Sequence, residues 1–195
     1  MEFRIKIPID LKFFIGALAA TAFLMTRGAS AATIYSDDLH GFYEADLVLY
    51  VTLKGNFPTV VVASPFGSGT DRALLAKLHL PGCFPSTPLT LTTQQARNDG
   101  YLVLIFNPIW ASNGHDACAA PASQAAAGSD GTGKMRLQAA FCYGDEVISE
   151  AIMEMPQPSD VADRGFDQAM GQLLAVLLPS DNRNQGDCGP SSTVC

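Results

Sequence analysis

The sequence predicts a two-layer α+β domain, in which a largely antiparallel sheet of about five strands carries two helices packed on one face. Residues 101–106 form an unbroken apolar run between Asp-Gly and Asn-Pro, which is typical of a strand buried on both faces. Residues 134–142 and 147–155 alternate between apolar and polar around a Gly-Asp turn, which predicts a hairpin. Residues 160–178 repeat apolar side chains with a helical period.

The N-terminus has the three parts of a secretory signal peptide. Arg4, Lys6 and Lys12 precede an uncharged apolar run over residues 13–25, and Ala-Ser-Ala follows at 29–31. The apolar run is shorter than the roughly 20 residues that a membrane-spanning helix needs. We therefore predict a signal peptide over residues 1–31, a domain over 32–179 and a polar tail over 180–195, with an uncleaved N-terminal anchor as the alternative.

The charge of the mature chain excludes one class of partner. From Ala32 onwards there are 8 basic and 17 acidic side chains, a net charge of −9 with no basic cluster to offset it. Such a surface repels phosphate backbones and anionic lipid. We expect no nucleic-acid partner, and no stable membrane span once the signal is removed.

The first part of the domain is expected to begin with an irregular lead-in over residues 32–44 and a hairpin. Residues 46–53 and 59–63 are rich in apolar and β-branched side chains, and Lys-Gly-Asn-Phe-Pro separates them as a turn signal. A glycine-rich loop over 64–71 then leads into a predicted helix at 72–80. Thr70 or Asp71 can cap this helix, and Pro-Gly at 81–82 ends it.

The loop residues Gly67, Ser68, Gly69 and Thr70 are a candidate anion-binding site, because loop amides and a helix N-terminus attract negative charge. The loop lacks the G-K-[ST] ending of a P-loop and the glycine pattern of a dinucleotide turn. A capped turn is the alternative that these absences favour.

The middle of the chain predicts an edge strand at 89–92, one helical turn at 93–97, the central strand and then a long loop at 112–133. This loop is rich in Ala, Gly and Ser and has no periodicity. His115, Asp116 and Cys118 suggest a Cys–His site, but no third group stands at a fixed spacing.

The C-terminal hairpin and helix have the clearest patterns. One face of the predicted hairpin consists of Met135, Leu137, Ala139 and Phe141. The helix stripe consists of Phe166, Met170, Leu173, Leu174 and Leu177, which is typical of a core contact. Ser159 or Asp160 can cap this helix, and Pro179 ends it.

Five cysteines predict two disulfides and one leftover thiol in an oxidising compartment. The hairpin placed beside the central strand brings Cys142 near the long loop that holds Cys118, and Cys188 lies close to Cys195 in the tail. We predict these two pairs, with Cys83 left over.

No cofactor or metal site is predicted. Asp37, Asp38 and His40 could be metal ligands, but a solvated turn is the simpler interpretation of three such residues in an N-terminal segment. No cysteine or histidine pair has the C-x2-C or H-x3-H spacing of a metal site.

The phrases at residues 57–61 (FPTVV), 104–108 (LIFNP) and 136–142 (RLQAAFC) resemble uncharacterised secreted or lipoprotein-like proteins of Gram-negative bacteria. This resemblance implies an α+β envelope domain that serves as an auxiliary or assembly subunit. The chain departs from the lipoprotein pattern because no lipobox cysteine is present.

Three functions remain open on the sequence. The first is a non-catalytic periplasmic or secreted domain that binds a protein or cell-envelope partner, since no G-x-S-x-G or H-E-x-x-H motif occurs. The second is a small hydrolase or anion-binding protein that uses the 64–71 loop with His79 or His115. The third is a structural component of an envelope assembly.

Overall fold

The computed structural model describes residues 32–67, 69–92, 99–109, 112–125 and 132–181. The predicted signal peptide at 1–31, the helical turn at 93–97 and the Cys188–Cys195 pair in the tail lie outside the described residues.

Six strands form one mixed sheet in the order β1-β6-β5-β4-β2-β3. They are β1 (Thr33–Leu39), β2 (Phe57–Val62), β3 (Leu89–Leu91), β4 (Gly100–Phe106), β5 (Lys134–Tyr143) and β6 (Glu146–Pro156). The β1/β6, β6/β5 and β5/β4 pairs are antiparallel, whereas β2 runs parallel to both β3 and β4. The sheet and its helices confirm the predicted α+β class.

The helices are α1 (Ala45–Thr52), α2 (Asp71–Leu75), α3 (Gly114–Ala119) and α4 (Arg164–Leu177), with a 3-10 turn at Pro121–Gln124. Apolar side chains of α1, α2 and α4 pack against one face of the sheet in the larger core, and we call this the main face. Ala117 and Cys118 of α3 belong to a smaller core on the opposite face, which we call the α3 face.

The central strand β4 is buried along its whole length, as its sequence predicts. Leu102, Leu104 and Phe106 face the larger core, and Tyr101, Val103 and Ile105 face the smaller one. The strand therefore connects the two cores through alternating side chains.

The predicted C-terminal hairpin is confirmed as β5 and β6. Its apolar residues at 135, 137, 139 and 141 all lie in the larger core, where the apolar stripe of α4 covers them. The helix begins at Arg164, later than predicted, because Asp163 rather than Ser159 or Asp160 caps it. Strand β3 occupies the sheet edge, in agreement with the prediction for residues 89–92.

Two predictions for the N-terminal part of the domain were wrong. Residues 46–53 belong mostly to helix α1 instead of a strand, so no hairpin forms with residues 59–63. A short apolar run is compatible with either structure, and tertiary packing of Val48 and Val51 selects the helix. The predicted irregular lead-in at 32–44 contains strand β1. This strand lies at the sheet edge and is mostly exposed, so its sequence is polar and lacks the apolar pattern that would predict a strand.

Two further predictions need correction in extent. Helix α2 ends at Leu75, and residues 76–80 lie outside it. The predicted loop at 112–133 contains α3, which the Asn113 side chain caps by accepting a hydrogen bond from the Asp116 amide at 2.9 Å.

Candidate functional site

The α3 face is the part of the sheet where polar side chains gather. Its centre is closed by α3 and by apolar residues of β4 and β5. Towards the β1 edge, charged and polar residues of β1, β5 and β6 occupy the strand positions that point to this side.

A disulfide holds α3 against the sheet. Cys118 on α3 and Cys142 on β5 are joined, with their Cα atoms 5.7 Å apart, so the predicted pair is confirmed. The buried Tyr101 hydroxyl shares its proton between the backbone carbonyls of Cys118, at 3.0 Å, and Gly144, at 2.9 Å. Cys83 is half-buried and has no disulfide partner among the described residues.

Asp38, His40 and Glu150 come together beside α3. Asp38 lies directly opposite Glu150 in the antiparallel β1/β6 register, and His40 follows two residues later on the same side. One potential ligand atom from each residue lies within 4.8 Å of the other two. The solvated-turn interpretation of Asp38 and His40 is therefore wrong, because they lie on or next to a paired strand.

The environment of this cluster is partly enclosed. Asp38 is exposed, whereas His40 and Glu150 are half-buried. The His40 Nε2 atom is closed off from solvent and has no hydrogen-bond partner within the described ranges. Sequence reasoning missed Glu150, because only strand pairing brings it to β1. Its polar position within the alternating pattern of residues 147–155 was the one available signal.

Gly114 lies next to the Glu150 carboxylate of this cluster. It is the first residue of α3 and is buried. A Cβ atom at this position would lie 2.6 Å from Glu150 Oε2 and 2.6 Å from Val147 Cγ2, distances that are too short for real contacts. Glycine thus allows the helix to approach the Glu150 carboxylate closely.

A second polar group lies on the same face. Gln138 on β5 is fully buried, and its Oε1 atom accepts a short hydrogen bond from the Ser112 hydroxyl. Its Nε2 atom is buried and has no partner in the part of the chain that the structure describes. Buried amide groups usually have hydrogen-bond partners, so this nitrogen is an unusual unpaired polar group beneath the 112–125 segment.

The predicted anion-binding loop lies elsewhere, between β2 and α2. Gly67 and Gly69 are exposed with φ of +92°, and Ser68 lies outside the described residues. The Thr70 hydroxyl donates to the Gly67 carbonyl at 2.7 Å, so it closes the turn instead of capping α2. Anion binding here stays a prediction. His79 and His115, the histidines named for the hydrolase hypothesis, are both exposed.

A different kind of surface lies at the end of the sheet where β1 ends and β2, β4 and β6 begin. Large apolar side chains are exposed in the segments there: Phe42, Tyr50, Leu53 and Tyr143. We call this surface the aromatic end. Phe42 is 84% exposed and Leu53 is 72% exposed.

One ion pair borders the aromatic end. The Lys54 ammonium contacts Asp99 Oδ1 at 2.7 Å and lies 4.4 Å from the centre of the Tyr50 ring. The hydrogen bond to Asp99 raises the pKa of Lys54, and the charge of Asp99 acts in the same direction. The lysine therefore stays charged beside the exposed ring.

None of the helices in the described ranges is long and apolar enough to cross a membrane. A scan against protein-family models, a search of curated proteins and a search of solved structures each found no match. The fold defines a disulfide-linked α+β domain with a six-stranded open sheet, and its function has to be argued from its own surfaces.

Proposed function

We propose that this chain is a non-catalytic periplasmic or secreted domain that binds a protein partner of the cell envelope. The observation that carries the proposal is the aromatic end, where four large apolar side chains are exposed around one end of the sheet. Exposed apolar groups that gather in one region are typical of interaction sites, whereas single ones are common on any surface.

The residue types at the aromatic end suit a protein interface. Phe42 and Tyr50 supply large, rigid contact areas, and aromatic residues are enriched among the side chains that dominate binding energy. Lys54 and Asp99 supply charges next to the apolar contact, as in the polar rim of an interface. Burial of Phe42 in an interface would stabilise the complex by about 25 cal/mol for each Å² of apolar surface removed from water.

The compartment is supported by two independent features. The Cys118–Cys142 disulfide is stable in an oxidising compartment and rare in the cytosol. The N-terminal 31 residues have the composition of a signal peptide. Both features support an envelope or extracellular location.

The test is co-purification of the exported chain with envelope proteins after cross-linking in cells. We expect one partner at a fixed stoichiometry, and we expect Phe42→Ser and Leu53→Ser each to reduce its recovery at least about tenfold, because interface anchors cost about 1.4 kcal/mol or more when they are truncated. Size-exclusion chromatography with light scattering distinguishes a different partner from a second copy of the chain.

Ile109→Ser is the matched control, because Ile109 is an exposed apolar residue after the opposite end of β4. It should leave partner recovery unchanged. A monomeric chain that captures no stoichiometric partner contradicts the proposal, as does recovery that falls equally in Ile109→Ser. A complex built of many copies of several chains would instead favour the role of a structural component.

A further inference from the structure

We propose that Asp38, His40 and Glu150 form a binding site for a divalent transition-metal ion of the Zn²⁺ class. The site lies on the α3 face and uses none of the four exposed side chains that define the aromatic end. It therefore adds a ligand that the proposed partner binding does not require.

The donor set fits such an ion. One imidazole nitrogen and two carboxylate oxygens are ligands that Zn²⁺ takes at about 2.0–2.2 Å. In the tetrahedral geometry of Zn²⁺, ligand atoms lie roughly 3.3–3.6 Å from each other. The three atoms lie within 4.8 Å of one another, so binding an ion requires them to approach by about 1.5 Å at most.

The backbone holds the donors in place. Asp38 and Glu150 are register partners, and the amide of His40 donates to the Ile148 carbonyl at 3.1 Å. Donors on paired strands need little further ordering when an ion binds, which favours affinity.

The cluster places two acidic side chains opposite each other on paired strands. Two carboxylates that face each other across an antiparallel pair repel, and like charges in this position destabilise a sheet. Partial burial of Glu150 strengthens the repulsion, because the local dielectric constant is lower than in water. A divalent ion between the carboxylates converts this repulsion into attraction.

The unpaired nitrogen of His40 is a separate observation that supports a bound ion. His40 Nε2 is enclosed and has no hydrogen-bond partner among the described residues, although an imidazole nitrogen normally has one when buried. A metal ion bound through Nε2 would satisfy this atom.

Helix α3 completes the enclosure. Gly114 allows α3 to contact the Glu150 carboxylate, and the Cys118–Cys142 disulfide fastens the same helix to β5. The exposed side of Asp38 leaves the remaining coordination positions open to water or to a partner's side chain. The site is thus a three-ligand site with open positions, and not a closed structural centre.

The experiment titrates Zn²⁺ into the exported, oxidised, tag-free chain after EDTA treatment and dialysis, and isothermal calorimetry records the heat. We expect one ion per chain. Asp38→Asn, His40→Ala and Glu150→Gln should each weaken binding at least about tenfold, since even residues outside the ligand shell cost 10–100-fold in metal affinity.

Asp37→Asn is the matched control. Asp37 is adjacent to Asp38 but points to the main face, where it lines a shallow pocket with Leu39 and Val176. It should change the affinity less than twofold. Asp38 is exposed, so Asp38→Asn is expected to fold, and circular dichroism checks this for every variant.

A second readout needs no variant. In the wild-type chain, the NMR ring resonances of His40 should shift on Zn²⁺ addition, in proportion to the bound fraction. Absence of saturable Zn²⁺ binding, equal weakening by Asp37→Asn, or unchanged His40 resonances in the presence of saturating Zn²⁺ would overturn the proposal. Binding of Ca²⁺ or Mg²⁺ in preference to Zn²⁺ would also overturn the assigned class.

Discussion

At the start of α4, a single carboxylate satisfies several backbone amides. Asp163 Oδ1 accepts hydrogen bonds from the amides of Phe166, at 3.3 Å, and Gly165, at 2.8 Å, and Oδ2 accepts one from Ser159 at 3.4 Å. The bond from Phe166 is the main cause that lowers the pKa of Asp163, followed by that from Ser159. The charged form of Asp163 is therefore favoured by folding.

Asp163→Ala should lower the melting temperature by a few degrees at neutral pH, whereas Asp163→Asn keeps an oxygen acceptor and should lower it less. Because the folded pKa is lowered, the contribution of Asp163 is present above its ordinary pKa of 3.8 and is lost as the pH falls through the lowered value. Thermal melts of the three chains at about pH 7 and about pH 3 measure this. A difference between wild type and Asp163→Ala that does not shrink in acid would contradict the expectation.

Ser112 and Gln138 form the other residue-scale test, because their hydrogen bond is buried on the α3 face. Ser112→Ala should cost about 1–3 kcal/mol of unfolding free energy, since it leaves the Gln138 oxygen without its partner. The double change Ser112→Ala with Gln138→Met removes both polar groups and should cost less than Ser112→Ala alone. Urea denaturation of Ser112→Ala, Gln138→Met and the double variant measures the effect, and a double variant less stable than either single one would refute the pairing.

At the scale of elements, the Cys118–Cys142 disulfide connects the short helix α3 to the long hairpin. Helix α3 has six residues, too few to be stable without tertiary contacts. Its packing residues Ala117 and Cys118 make it part of the smaller core. The disulfide therefore stabilises both the smaller core and the position of α3 beside Glu150.

Replacing both cysteines by alanine should destabilise the domain by about 3.5 kcal/mol, the value expected for a closed loop of this length. The sequence separation of the two cysteines is 24 residues. Guanidinium denaturation of the oxidised wild type and of the double variant measures the effect. Peptide mapping without reduction should first show Cys118 linked to Cys142, and free thiols at both positions would contradict the assignment. Cys83→Ala is the control and should keep the linked peptide.

The elements also show where sequence patterns succeed. The β5–β6 hairpin and α4 have long periodic sequences, so their faces could be assigned before any tertiary contact was known. The prediction for residues 46–53 failed because the seven apolar and β-branched residues after Asp46 carry no period that separates a helix from a strand. The helix forms since Val48 and Val51, three positions apart, both reach the larger core.

At the scale of the whole molecule, the two faces of the sheet differ in chemistry. The main face is covered by α1, α2 and α4, whose apolar side chains form the larger core. The α3 face is covered by one short helix near its centre, and this leaves room for Gln138 and for the Asp38–His40–Glu150 cluster nearer the β1 edge. Polar groups can remain there because the smaller core does not extend to that edge.

The sequence by itself determined the α+β class, the central strand, the hairpin and α4, because local periodicity and a few turn residues specify each of these. The Cys118–Cys142 pair could be predicted only after the hairpin had been placed beside the central strand. Only the tertiary structure decided that residues 46–53 are helical, that residues 33–39 add an edge strand, and that Glu150 meets Asp38 and His40. The physical reason is the distance along the chain over which each feature is determined. Periodicity depends on neighbouring residues and shows which side of an element is buried, whereas strand order and register depend on contacts between residues far apart in the chain.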